Sequence, residues 1–234
     1  PPPPPPPPPP PYHAEDGIRD RQARLVGSEM CIRDSDYTAG FREVVAAELG
    51  RDLATLPLER SWDFEEWGIT AEEFERLHQF AVTDVRMLAD LPVIAGAADA
   101  LWRLSDAGVW IRVVTHRLYV NWGHATAIAD TVTWLDANHV PYRDICFLGA
   151  KPEVEADCYV DDAPHNITAL RADDNDVIVF DQPYNRAFDG PRATGWDEVE
   201  ALVLEMVAAR RGAVEVQLPG LDPGTERLSR RLGR

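Results

Sequence analysis

The sequence has few cysteines and no long hydrophobic run. Its 234 residues include three cysteines, Cys31, Cys146 and Cys158, and these form no CxxC pair. This number and spacing exclude a disulfide framework and are typical of a protein in the reducing cytoplasm. No apolar run approaches the roughly 20 residues needed to span a bilayer, so we expect no membrane segment. The N-terminus also lacks the apolar region of a signal peptide.

Basic residues are scarce and almost all are of one type. Lys plus Arg total 23 against 40 Asp plus Glu, which gives a formal net charge of −17. This balance argues against binding a nucleic acid polymer, because such binding requires a basic surface. Lys151 is the only lysine. Lysine is a compact point charge and arginine a planar fork, so Lys151 indicates a site that arginine would not serve. A chance surface lysine is the alternative.

Proline is scarce outside one segment, since 11 of the 20 prolines are residues 1–11. Residues 12–35 show neither a helical nor a strand period. We interpret residues 1–35 as a non-native leader, translated from adapter and homopolymer sequence, and exclude it from the fold. A natural disordered leader is the alternative. We expect the domain to span residues 36–210 and residues 211–234 to form a flexible tail.

Hydrophobic periodicity changes along the predicted domain. Up to about residue 107 the spacing is helical, with a capping box at Thr70 and Glu73 and helix ends at Gly50 and Gly108. From residue 109, short β-branched runs alternate with helices. This alternation predicts an α/β fold, a three-layer Rossmann-like parallel sheet with helices on both faces. In such sheets ligands bind at the carboxyl ends of the strands.

Polar residues stand at the ends of the predicted strands. Thr115 ends the first run, Lys151 lies just beyond the second, and Asp161 and Asp162 follow the third. Phosphoryl transfer needs donors for phosphate oxygens, a cation, and carboxylates for Mg²⁺, so this set predicts a phosphate site. Each residue also has a structural alternative: Thr115 could cap the next helix, and the aspartates could form the N-cap of the helix that follows them. No P-loop, GxGxxG, HExxH or GxSxG motif occurs.

Two segments, THR at 115–117 and VDDAPHN at 160–166, resemble motifs of the haloacid dehalogenase-like (HAD) phosphohydrolases. The closer likeness is to the cytosolic 5'(3')-deoxyribonucleotidase branch, and it covers about residues 36–205. The resemblance implies a Mg²⁺-dependent phosphomonoesterase that acts on small phosphorylated substrates, (deoxy)nucleoside monophosphates, through an aspartyl-phosphate. It also implies a small helical cap after the first motif, at about residues 50–92.

The resemblance implies roles for the residues at the strand ends. Thr115 would hold the phosphate, and Lys151 would neutralise the phosphoryl oxygens. Asp162, with Asp161 beside it, would hold the Mg²⁺ ion.

Further residues would contact the substrate. His116 and Arg117, which follow Thr115, would lie close enough to touch the substrate. In the cap, Trp62, Phe64 and Trp67 could stack on a base, or they could instead form the core of the cap.

The first motif of the family, an apolar strand followed by DxDG, is missing from this sequence. Asp34 and Asp36 have DxD spacing, but residues 29–33 before them make a poor strand. The resemblance instead places Asp36 at the start of the first helix, so we interpret this spacing as coincidence. We therefore expect the first core strand to be lost, identify no nucleophile, and expect the chain as it stands to be inactive. The alternative function is a non-catalytic phosphate- or nucleotide-binding module of the same fold.

Overall fold

The structure is a computed structural model that describes residues 24–27, 35–118, 122–147, 154 and 156–211. Lys151 and Asp34 lie outside these residues. The strands are β1 (Arg24–Gly27), β2 (Trp110–Thr115), β3 (Asp144–Phe147), β4 (Cys158–Asp161), β5 (Val177–Phe180) and β6 (Arg192–Ala193). The helices are α1 (Tyr37–Leu49), α2 (Ala71–Thr83), α3 (Ala97–Asp106), α4 (His124–Ala137), α5 (Pro164–Ala172) and α6 (Trp196–Arg211). None of the helices in the described ranges is long and apolar enough to cross a membrane.

The six strands form one parallel sheet in the order β3-β2-β1-β4-β5-β6. The central strand β1 pairs with β2 on one side and with β4 on the other, with Gly27 opposite both Val113 and Val160. The prediction that the first core strand is lost is therefore wrong, because residues 24–27 occupy that position. These four residues lie inside the leader that we excluded from the fold.

Alternating residues of the strands pack into two separate cores. In β5, Ile178 and Phe180 belong to the larger core, and Val177 and Val179 belong to the smaller one. The larger core also takes buried side chains from α1, α3 and α6, whereas α5 contributes its buried Ile167 to the smaller core. Successive strand residues point to opposite faces of a sheet, so helices cover both faces. The predicted three-layer α/β architecture is confirmed.

A helical segment lies between α1 and α3, where the cap was predicted, and its role as a cap stays a prediction. It contains α2, which packs against α1 and α4, and three short 3-10 turns at Leu53–Thr55, Glu65–Trp67 and Met87–Ala89. The capping box at the start of α2 is present, with the Thr70 hydroxyl accepting from the Glu73 N–H. The helix ends at Thr83, and Arg86, three residues further on, adopts a left-handed conformation with φ 60°.

Candidate active site

The sheet brings Thr115 and the aspartate pair to one edge. Thr115 ends β2 and Asp161 ends β4, and these two strands flank β1 on either side. From β1 the chain adds β2 and β3 on one side of the sheet, and it then returns to add β4, β5 and β6 on the other side. The order in which strands are added therefore reverses between β1 and β4. A crevice at such a switch point is the usual ligand site of a parallel sheet. Thr115, Asp161 and Asp162 are all fully buried there.

Hydrogen bonds hold both carboxylates in place. Asp161 Oδ1 accepts from the Ala163 N–H at 2.9 Å and from Asn166 Nδ2 at 3.5 Å, so Asp161 also orders the turn before α5. Asp162 Oδ2 accepts from the Tyr184 hydroxyl at 2.6 Å. Tyr184 lies after β5, so a neighbouring strand end fixes the orientation of Asp162.

The aspartate pair fits a magnesium ion. Two adjacent buried carboxylates repel each other and need a cation or a proton between them. Mg²⁺ prefers oxygen ligands and is usually bound by one or two carboxylates together with water and substrate phosphate. Across the described ranges, no group of three or more His, Cys, Asp or Glu side chains could hold a metal ion. A Mg²⁺ ion at Asp161 and Asp162 would therefore take its remaining ligands from outside the described side chains.

A cavity of about 680 Å³ opens between the 115–117 turn and the helical segment. The three predicted residues of the turn, Thr115, His116 and Arg117, all line it. Aromatic side chains form much of the remaining wall: Tyr37, Trp62, Phe64, Phe74 and Trp122. A largely apolar cavity with a few polar groups at one end is typical of a site for a small organic ligand.

The two predicted tryptophans have different environments. Trp62 lines the cavity, and its ring centroid lies 5.2 Å from that of Tyr184 and 5.3 Å from that of His165. Trp67 is fully buried, stacks on Phe41 at 6.0 Å and donates from Nε1 to the carbonyl of Pro57 at 2.8 Å. Trp67 is therefore part of the core and is not placed to bind substrate, which corrects the prediction. Base stacking remains a prediction for Trp62.

Two polar groups lie on the aromatic wall. The Tyr37 hydroxyl is 2.7 Å from His78 Nδ1, and both residues line the cavity. Burial, together with the nearby positive charge of Arg117, lowers the pKa of His78 from 6.5 to about 4. The Arg117 guanidinium is fixed by a 2.7 Å hydrogen bond from Nη1 to the Thr131 hydroxyl. His78 is therefore neutral near pH 7, and Arg117 is one of the charged residues that line the cavity.

Some site residues were missed from the sequence. Tyr184 lies in a polar stretch that directly follows a predicted strand, so position alone could have indicated it. Arg60 lies in an irregular segment of an arginine-rich chain, and no pattern marks it. Asp36 was predicted to lie at the start of the first helix, and the structure confirms this: its Oδ1 accepts from the Ala39 N–H at 2.8 Å as the cap of α1.

Solved structures of similar fold are HAD-like hydrolases. A predicted phosphatase from Clostridium acetobutylicum is 12% identical with a TM-score of 0.52, covering 79% of this chain and 99% of that one. A haloacid dehalogenase-like family hydrolase from Streptococcus pneumoniae is 12% identical with a TM-score of 0.51, covering 77% of this chain and 98% of that one. At this identity the likeness establishes the fold. The protein thus has the α/β fold of these hydrolases, with a polar site at the switch point of its sheet.

The sequence comparisons define the branch within that class. The family "5' nucleotidase, deoxy (Pyrimidine), cytosolic type C protein" matches residues 33–211, and the chain belongs to this family. A protein of Chlorobaculum tepidum named "Putative 5'(3')-deoxyribonucleotidase" is 34% identical over 197 residues, which cover 84% of this chain and 98% of the relative. The predicted resemblance to the deoxyribonucleotidase branch is confirmed.

Proposed function

We propose that the site is that of a Mg²⁺-dependent phosphomonoesterase for (deoxy)nucleoside monophosphates, and that this chain binds such substrates without hydrolysing them. The observation that carries the proposal is the position of the buried Asp161–Asp162 pair and Thr115 on both sides of β1, beside an aromatic cavity. The family name supports the nucleotide as the substrate class.

Each residue of the site has a distinct role in this proposal. Thr115 would hold a phosphate oxygen, and Asp161 and Asp162 would hold Mg²⁺, which supplies positive charge to the phosphoryl group. Arg117 would add a fixed positive charge at the same end of the cavity, while the aromatic wall would enclose the nucleoside. Lys151, which lies outside the described residues, would neutralise the phosphoryl oxygens.

We propose that the chain is inactive because it lacks a nucleophile. Hydrolysis through an aspartyl-phosphate needs a carboxylate nucleophile, and the first motif of the family would place it directly beyond an apolar strand. The residue that follows β1 in the sequence is Ser28, and Asp36, the one described member of the Asp34–Asp36 pair, caps α1. No described residue therefore supplies the carboxylate that would attack the phosphorus.

A binding measurement tests the proposed site directly. Thymidine monophosphate should bind more tightly when Mg²⁺ is present, and Asp162→Asn should remove this Mg²⁺ dependence because the carboxylate charge is lost. Asp144→Asn is the matched control, since it neutralises a carboxylate on β3 that pairs with Arg112 away from the cavity. Binding that does not respond to Mg²⁺ in the unchanged chain would contradict the proposal.

A turnover measurement tests the inactivity and its cause. The chain should release no phosphate from thymidine monophosphate, and replacing residues 24–35 with the corresponding segment of the Chlorobaculum tepidum relative should produce Mg²⁺-dependent release. Release by the unchanged chain that Asp34→Asn abolishes would show that Asp34 serves as the nucleophile. A folded chimera that binds the nucleotide without turnover would favour the non-catalytic binding module.

A further inference from the structure

Arg60 is a buried cation in the wall of the cavity. It belongs to the helical segment between α1 and α3, only 3% of its surface is exposed, and it lines the cavity. Its guanidinium lies over the ring of Phe64, 3.7 Å from the centroid, and 5.1 Å from that of Tyr184. An arginine is costly to bury unless its charge is compensated. The surroundings of Arg60 therefore indicate what it is there to contact.

One edge of the guanidinium is used within the protein. Nε donates to the Thr38 hydroxyl at 3.2 Å, and Nη1 donates to the carbonyls of Ser61 at 2.8 Å and Trp62 at 3.3 Å. These bonds, together with the stacking on Phe64, fix the plane of the group. Nη2 forms no hydrogen bond with the residues that the structure describes. The group is thus held rigidly with one nitrogen left for a ligand.

The charge of Arg60 is not neutralised by a direct partner. Arg60 forms no ion pair with any acidic residue in the described part of the chain. Burial lowers the pKa of its guanidinium, and the negative charge of Asp162 is among the weaker influences that raise it. Asp162 is therefore close enough to act on Arg60 electrostatically without touching it. An anion bound beside Asp162 would lie within this field.

We propose that Arg60 is a substrate-recognition residue whose Nη2 donates to a phosphate oxygen of the nucleotide bound in the cavity. The proposal rests on the proposed function, which places the phosphate beside Asp161 and Asp162. A guanidinium suits this contact because its planar donors match the oxygens of a phosphate. Since Arg60 belongs to the helical segment, this segment supplies part of the phosphate site as well as the aromatic wall.

Paired binding measurements test the assignment. The affinities of thymidine monophosphate and thymidine are measured by titration calorimetry, with Mg²⁺, for the unchanged chain and for Arg60→Met. Loss of one charged hydrogen bond should weaken binding of the monophosphate by about 10- to 100-fold. Binding of thymidine, which has no phosphate, should change by less than about threefold. Arg51→Met is the matched control, because Arg51 donates to the carbonyl of Trp67 in the same segment and does not line the cavity.

The outcomes separate this inference from the proposed function. If Arg60→Met binds the monophosphate as tightly as the unchanged chain does, the inference is overturned and the proposed function stands. The same holds if Arg60→Met loses equal affinity for the monophosphate and for thymidine. No binding of the monophosphate to the unchanged chain overturns both. If circular dichroism shows that Arg60→Met does not fold, Arg60→Lys decides the matter. This variant keeps the charge and the stem but loses the fork, so it should still weaken binding of the monophosphate alone, by about 5- to 10-fold.

Discussion

His78 should make the stability of the folded protein depend on pH. Its ring packs against Trp122, with centroids 5.8 Å apart, and against Phe74, at 5.6 Å, while Nδ1 is 2.7 Å from the Tyr37 hydroxyl. Burial is the main cause of the lowered pKa and the charge of Arg117 is the second. Protonating this ring therefore requires a charge in an apolar setting beside another positive charge. The folded protein resists that step, whereas the unfolded chain does not.

The size of the effect follows from the two pKa values. With 6.5 in the unfolded chain and about 4 in the folded protein, the free energy of unfolding should fall by about 2 kcal/mol between pH 7.5 and 5.0. The contribution is fully present above about pH 6.5 and is lost as the pH falls towards 4, because only the unfolded chain takes up the proton. Part of the ring faces the cavity, and water there reduces the expected loss to about 1–2 kcal/mol.

Urea unfolding at pH 7.5 and pH 5.0 measures this loss. Other groups also titrate in this range, so the relevant quantity is the difference between the unchanged protein and His78→Gln. The glutamine keeps a hydrogen-bonding partner for Tyr37 and does not titrate, so the variant should lose about 1–2 kcal/mol less than the unchanged protein. His124→Gln, which replaces an exposed histidine that does not line the cavity, is the control for the exchange of side chains. An identical pH dependence in His78→Gln and the unchanged protein would refute the reasoning.

Two hydrogen bonds give further predictions. Tyr184→Phe keeps the ring beside Trp62 but removes the donor to buried Asp162, so it should lower the free energy of unfolding by about 1–3 kcal/mol in urea titrations; an unchanged value would mean that this bond does not hold the carboxylate. Thr70→Ala removes the capping box of α2 and should cost about 1 kcal/mol in thermal unfolding, while Thr70→Ser should restore most of it. A Thr70→Ser variant as unstable as the alanine variant would contradict the capping role.

Helix positions are largely predictable from the sequence because most helix ends carry local signals. Gly50 ends α1 with φ 60°, and its N–H donates to the carbonyls of Ala46 and Ala47. The end of α2 carries no such signal. Three residues beyond this end, Arg86 pairs with the buried Asp130 of α4, 44 residues away. A contact over that distance in sequence leaves no periodic trace.

Some strands are also hard to predict from the sequence, because contacts with neighbouring strands define them. The strands β2, β4 and β5 are apolar enough to be predicted alone, whereas β1 and the two-residue β6 are defined mainly by their neighbours. Residues 24–27 gain their place because β2 and β4 both offer unpaired edges, and a parallel sheet with a gap between them would leave two rows of backbone groups without partners. A short segment that satisfies those groups can be strand with little intrinsic preference for it.

The residues of the site likewise fall into two groups, those predictable from the sequence and those that depend on tertiary contacts. Thr115, Asp161 and Asp162 are predictable because topology brings the ends of parallel strands together, whatever surrounds them. Arg60 and Trp62 come from an irregular segment that is held by tertiary contacts, such as the 3.2 Å hydrogen bond from Arg60 Nε to the hydroxyl of Thr38. The sheet therefore determines the class of chemistry, and the helical segment determines what fits beside it. Relatives that share the strand ends and Arg60 but differ at Trp62 should thus bind phosphate alike and differ in the nucleosides they accept.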